Sequence, residues 1–184
     1  MHFSGGNVAQ QSIRLSAPLD RQALLTLRAR DQVLLSGQVL VFRDQVHRNL
    51  GELIARGEPL PFDLTNQALY YCGPTPPRHG LPVGAAGPTT SSRMDPFTGP
   101  LLEQGLAMTI GKGDRSREVA ALHRKFQAVY LVAIGGAGAM MAKHITAAAV
   151  IGFEELGPEA AYRFTVKEMP LIVGFDTAGG SAFE

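Results

Sequence analysis

Residues 87–95 read Gly-Pro-Thr-Thr-Ser-Ser-Arg-Met-Asp and hold the densest reactive chemistry in the chain. Four hydroxyls, Thr89, Thr90, Ser91 and Ser92, run directly into Arg93. Pro88 suits the start of a short helix, where its missing N–H would be unpaired anyway. Thr89 or Thr90 suits the N-cap. A helix start leaves free N–H groups at the positive end of its dipole. Hydroxyl donors and a guanidinium fork beside such a start make a pocket for a carboxylate or a phosphate. The plainer reading is a polar turn that caps its own helix, since Ser and Thr are ordinary turn residues.

Two more basic residues favour the pocket. Arg43 ends the apolar run 39–42, and Lys112 follows the apolar run 107–110. Arg43, Arg93 and Lys112 together suit a small dianion, although each alone reads as a solvated surface cation. Lys112 stands between Gly111 and Gly113, where backbone can approach a ligand closely. Neither that run nor Gly135-Gly136-Ala137-Gly138 completes a nucleotide-binding loop pattern. His47, three residues after Asp44, reads as a ligand contact, as a donor that supports such a contact, or as a capping or surface histidine. His79, His123 and His144 show no metal-ligand spacing. Cys72 is the single cysteine and reads as a core thiol. It can build neither an internal disulfide nor a four-cysteine metal site, so no metal ligands are expected in this chain.

These groups need elements to hold them. Residues 12–15 read as a short strand and 19–27 as a helix. Residues 31–42 read as a long strand or hairpin, and 45–56 as a helix capped by Asp44. A strand is expected at 68–72, a brief helix at 101–106, a buried strand at 107–110 and an amphipathic helix at 116–126. A strongly apolar strand follows at 128–134, a helix at 139–145 and a strand at 148–153. A short helix lies within 154–163, and late strands are expected at 164–166 and 171–175. Central apolar runs lack polar alternation, which argues for strands covered on both faces in a three-layer α/β or β/β/α domain. In open α/β sheets ligands gather beyond strand carboxyl ends, and Arg43, the 87–93 loop and Lys112 all follow apolar runs.

Composition narrows the function. The chain has 184 residues, 45% of them hydrophobic, enough for one domain with a real core. A flexible tail is expected at 1–11 and a single domain at 12–184. The formal net charge of +1 gives no basic field for nucleic acid. No apolar run reaches the roughly 20 residues of a membrane helix, and residues 1–11 lack signal-peptide regions, so a cytoplasmic protein is expected.

Six motifs carry a resemblance: 37–47 (GQVLVFRDQVH), 71–76 (YCGPTP), 87–95 (GPTTSSRMD), 110–113 (IGKG), 133–137 (AIGGA) and 155–159 (ELGPE). Over residues 15–176 the chain resembles the C-terminal domain of class I iron–sulfur fumarate hydratases and the beta subunit of their two-subunit forms. The beta subunit of L(+)-tartrate dehydratase belongs to the same group. The resemblance implies a swivelling β/β/α domain with a mixed sheet. It implies an alpha subunit that holds a [4Fe–4S] cluster through three cysteines with one iron open to substrate, the pair forming a dimer of heterodimers. It implies Arg43, Arg93 and Lys112 as carboxylate contacts and Thr89 as catalytic base, with Thr90 the alternative. His47 and Thr90 are expected among the substrate contacts.

The reaction expected is the reversible hydration of fumarate to (S)-malate. Dehydration takes a proton from the carbon beside a carboxylate, charge builds on that carboxylate, and fixed cations stabilise the transition state. A threonine hydroxyl is a poor base unless cations favour its alkoxide, which is the catalytic part expected of Arg93. The alternatives are dehydration of tartrate to oxaloacetate, hydration of another small diacid such as mesaconate, a non-catalytic module for a small anion, and a structural protein on the same fold.

Overall fold

A computed structural model describes residues 12–78, 80–133 and 138–184. The expected tail, His79 and most of the glycine run 135–138 lie outside the described residues. The chain is a mixed α/β domain. Its elements in order are β1 (Ile13–Ala17), α1 (Arg21–Thr26), β2 (Gln32–Val41), α2 (Asp44–Ala55), β3 (Ala68–Tyr70), a 3-10 turn (Ser91–Met94) and α3 (Asp95–Glu103). Then come β4 (Met108–Gly111), α4 (Arg117–Lys125), β5 (Val129–Val132), α5 (Gly138–Ala142), β6 (Ile145–Gly152), a 3-10 turn (Glu154–Glu159) and β7 (Ala161–Phe175).

One mixed sheet holds the seven strands of the described residues, in the order β1-β2-β3-β4-β5-β7-β6. Strands β1 to β5 run parallel, while β7 runs antiparallel to β2, β5 and β6. Because β7 pairs with both β5 and β2, the pairings β2-β3-β4-β5-β7 close on themselves. Side chains of a strand alternate between faces, and here both faces are buried. Val39, Val41, Ala68, Tyr70 and Ile110 enter one apolar cluster with Phe164, Val166 and Val173 of β7. Leu40, Phe42, Leu69 and Tyr71 enter a second one with Val46 and Leu50 of α2 and Leu101 and Leu102 of α3. Two-sided burial is why the central strands read as apolar runs.

Several boundaries differ from the sequence reading. The two late strands are one, β7, which carries a bulge that the reading took for a gap. Glu168 has φ +48 and its N–H donates to Ser36 Oγ at 2.9 Å instead of to the ladder. Helix α3 starts at Asp95, six residues before the expected helix, and carries Pro100 inside it. Strand β6 starts at Ile145 and takes the end of the expected helix 139–145.

Candidate active site

The strands β3 and β4 pair through Tyr70 and Ile110, and the Tyr71 N–H still donates to Ile110 O at 2.8 Å. Beyond that point they part, and residues 89–91 fill the gap as a short extended segment. The Thr89 N–H donates to Tyr71 O at 2.7 Å, the Lys112 N–H to Thr89 O at 3.2 Å, and the Ser91 N–H to Lys112 O at 3.0 Å. Thr90 sits opposite Lys112 in a parallel bridge. Gly111 allows this close approach, because a Cβ there would overlap Ser91 Oγ and stand 2.9 Å from Tyr71 Cδ2. Extended residues alternate, so Thr89 and Ser91 are buried and Thr90 is exposed.

The threonines therefore do not cap a helix in the expected way. Thr90 occupies the N-cap position of the 3-10 turn but makes no capping bond. Asp44 does not cap α2 either; Arg43 holds that position and Asp44 is the first helical residue.

A cavity of about 400 Å³ opens here, lined by Arg43, Gly73, Gly87, Pro88, Thr89, Thr90, Arg93, Lys112 and Gly138. Arg43 follows β2, the threonines extend the β3–β4 gap, and Lys112 follows β4, so the cavity lies beyond the carboxyl ends of parallel strands. A larger cavity, about 620 Å³, lies between α4 and the segment 175–184, but none of these cations lines it. Convergent chemistry marks the smaller one.

Two of the three cations already have carboxylate partners. Arg43 Nη2 lies 2.9 Å from Glu159 Oε1, and Arg93 Nη2 lies 2.7 Å from Asp44 Oδ2. Lys112 has none within ion-pair distance among the described residues. Arg43 Nε is buried without a hydrogen-bond partner among the described residues. The Arg43 guanidinium packs against Gly73, where a Cβ would stand 2.8 Å from Nε and 2.9 Å from Cζ.

His47, expected among the substrate contacts, does not line this cavity. It lies fully buried on α2, with its ring 4.9 Å from Phe42 and 5.3 Å from Tyr71 between centroids. The apolar side of an amphipathic helix turns it inward. Its Nδ1 lies 2.9 Å from Arg43 O, so Nδ1 carries the proton and donates. Burial pulls the imidazole down to about 4 and keeps it neutral. It reaches the cavity only by holding the Arg43 backbone.

The sequence reading missed Arg115. Its side chain is wholly buried, with Nε 2.8 Å from Asp95 Oδ1 and Nη2 2.6 Å from Thr98 Oγ1. Nη1 reaches the Tyr71 hydroxyl at 3.1 Å. Nothing in the run Lys112-Gly113-Asp114-Arg115 marks that arginine as interior. Asp44 and Glu159 were read as a cap and a helix residue, since no local pattern pairs them with residues 49 and 116 positions away.

The described residues do not form a ligand set for an iron–sulfur cluster. No group of three His, Cys, Asp or Glu able to hold a metal occurs among the described residues. Cys72 is buried in the core, and burial pushes its thiol up to about 12, whereas a cluster ligand must be a thiolate.

Fold and pocket define a class: an α/β domain whose parallel strands end in a pocket of cations and threonine hydroxyls. Residues 3–184 match the family model described as Fumarase C-terminus. The chain belongs to that family. It is 34% identical over 176 residues to fumarate hydratase 1, mitochondrial, of Leishmania major, covering 94% of this chain and 32% of that protein. It is 36% identical over 155 residues to the anaerobic class I fumarate hydratase of Escherichia coli (strain K12), covering 82% of this chain and 28% of that protein. To the L(+)-tartrate dehydratase subunit beta of the same organism it is 33% identical over 172 residues, covering 91% of this chain and 84% of that subunit. The chain thus spans about a third of the length of these fumarate hydratases and most of the length of the tartrate dehydratase subunit.

Proposed function

We propose that this chain is the beta-type subunit of a two-subunit hydro-lyase that reversibly hydrates fumarate to (S)-malate. The observation that carries the reading is the cavity that joins Arg43, Thr89, Thr90, Arg93 and Lys112. Arg43, Arg93 and Lys112 take the two carboxylates, and Thr90 is the exposed hydroxyl beside them. Thr89 is the base. In the dehydrating direction its oxygen takes the proton from the carbon next to a carboxylate. Arg93 and Lys112 favour the alkoxide it needs and the charge that grows on that carboxylate.

Departure of the hydroxyl is assigned to no residue of this chain. The [4Fe–4S] cluster of such an enzyme would belong to an alpha subunit, since the described residues here offer no ligands for it. The chain is active only with that partner, in a dimer of heterodimers. Its place is the cytoplasm; among the described residues no helix is long and apolar enough to cross a membrane. Residues 12–184 act as one domain, in the three-layer swivelling β/β/α arrangement.

A second reading, the beta subunit of an L(+)-tartrate dehydratase, is favoured by the 84% coverage of that subunit. Co-expression with the alpha subunit under anaerobic conditions tests both. Malate should be dehydrated faster than tartrate, and the reverse preference selects the second reading. Arg93→Ala should cut turnover by about 3 kcal/mol of barrier, on the order of a hundredfold. Normal turnover in that variant would overturn the part given to Arg93.

A further inference from the structure

We propose that Tyr130 is a positioning residue for this site, because its hydroxyl ties residues 89–91 to the turn that carries Lys112. The inference rests on the reading that Thr89 and Lys112 face one substrate. Tyr130 lies on β5, one strand away from the cavity, and does not line it. Its oxygen is 2.6 Å from Gly113 O and 2.9 Å from Ser91 Oγ. A phenol has one proton and a carbonyl only accepts, so Tyr130 donates to Gly113 O and Ser91 donates to Tyr130. One oxygen thus joins the residue after Lys112 to the second residue after Thr89. Gly113, at φ +77, adopts the left-handed backbone that presents its carbonyl in this turn.

The ring that carries this oxygen is itself fixed. Phe175 lies 5.3 Å from it and Phe183 stacks near parallel at 6.4 Å, between centroids. On another side is Arg115, whose guanidinium carbon lies 5.4 Å from the Tyr130 ring and 5.4 Å from the Tyr71 ring. Tyr71 O is the acceptor for the Thr89 N–H. Arg115 therefore braces both tyrosines, and between them they hold both ends of the 89–91 segment. Asp95 and Thr98 hold Arg115 in turn. The hydroxyl and Ser91 are buried, so water does not replace the link without first entering the core.

Tyr130→Phe removes one oxygen and keeps the ring. In the full-length chain, amide hydrogen exchange should become about tenfold faster at Ser91 and Lys112, where local opening now competes. The Tyr71 and Ala133 amides, bonded to Ile110 O and Gly111 O, should keep their wild-type rates. Ser91→Ala should give the same local pattern, and the double variant should be no worse than Tyr130→Phe. In the assembled enzyme, turnover should fall about tenfold with KM raised less, since displacement of a reacting group costs rate before affinity. Unchanged exchange at Ser91 and Lys112 overturns the proposal. Faster exchange at every core amide overturns it too, since that reports general loosening. Absence of hydratase activity in the wild-type complex refutes the function proposed above and leaves the exchange result to decide this one.

Discussion

Arg93 Nη2 lies 2.7 Å from Asp44 Oδ2, so a cation of the pocket is held by a carboxylate of its own chain. The pair bridges the 3-10 turn and the first residue of α2, and the arginine is about half exposed. An ion pair in such a position contributes at most about 1 kcal/mol.

Asp44→Asn should therefore cost about 1 kcal/mol of stability, including the lost interaction of a first-turn acid with the helix dipole. It should also lower KM for a dicarboxylate, because a group competing for Arg93 is gone. Urea denaturation and steady-state kinetics of the assembled enzyme check the two parts. A raised KM would mean that Asp44 aims Arg93 more than it competes for it.

Gly73→Ala should act on Arg43. The new methyl would meet Nε and Cζ at under 3 Å, and the guanidinium is the movable end of a flexible side chain. The backbone there is compatible with alanine, so stability should change by about 1 kcal/mol or less. Affinity for the dicarboxylate should fall by about tenfold to a hundredfold, the loss of one charge-assisted hydrogen bond. Calorimetric titration of the complex with malate measures it, and wild-type affinity would remove Arg43 from the binding wall.

Two buried histidines set an acid limit. Burial pulls His47 down to about 4, and burial with the nearby Arg115 charge pulls His123 down to about 3. Both lie below the unfolded value near 6.5, so the unfolded chain takes up protons first as pH falls. Their stabilising contribution is complete above about pH 6.5 and is lost toward pH 4, by about 1.4 kcal/mol per pH unit for each ring. The urea midpoint should drop over that window. Proton uptake on unfolding should approach two near pH 5, and a flat midpoint would contradict the assigned burial.

Cys72 should resist modification. Its thiol is buried and pushed up to about 12, so almost no thiolate exists at pH 8. A disulfide reagent should label it in guanidinium and not in the native protein. Rapid native labelling would place it outside the core.

Much of the fold was legible because the strongest signals were local. Helix α4 shows its Ser116 cap and amphipathic face directly, and β5 shows an apolar run of the right length. Arg43 and Lys112 could be singled out because each follows an apolar run, and Arg93 because four hydroxyls lead into it. What stayed hidden depends on distant partners. Glu159 meets Arg43 across more than a hundred residues, and Arg115 becomes interior only when Asp95, Thr98 and two tyrosines surround it. His47 sits three residues from Asp44 like an exposed contact, yet the helix phase turns it to the core. Pro170 and the bulge at Glu168 made one strand look like two.

The wedge between β3 and β4 has a consequence for how the site can vary. Positions 89 and 90 carry the same amino acid, so chemical identity does not separate them; only the two-residue rhythm of an extended backbone does. Shortening the preceding loop by one residue, so that the Thr90 N–H takes over the bond to Tyr71 O, would make the open hydroxyl the sheltered one, whereas lengthening it would bring Pro88, which has no N–H, to that bond. Residues 88–92 would be untouched while the reactive group changed sides, so deletions upstream of Pro88 are a more searching probe of this pocket than most point changes inside it.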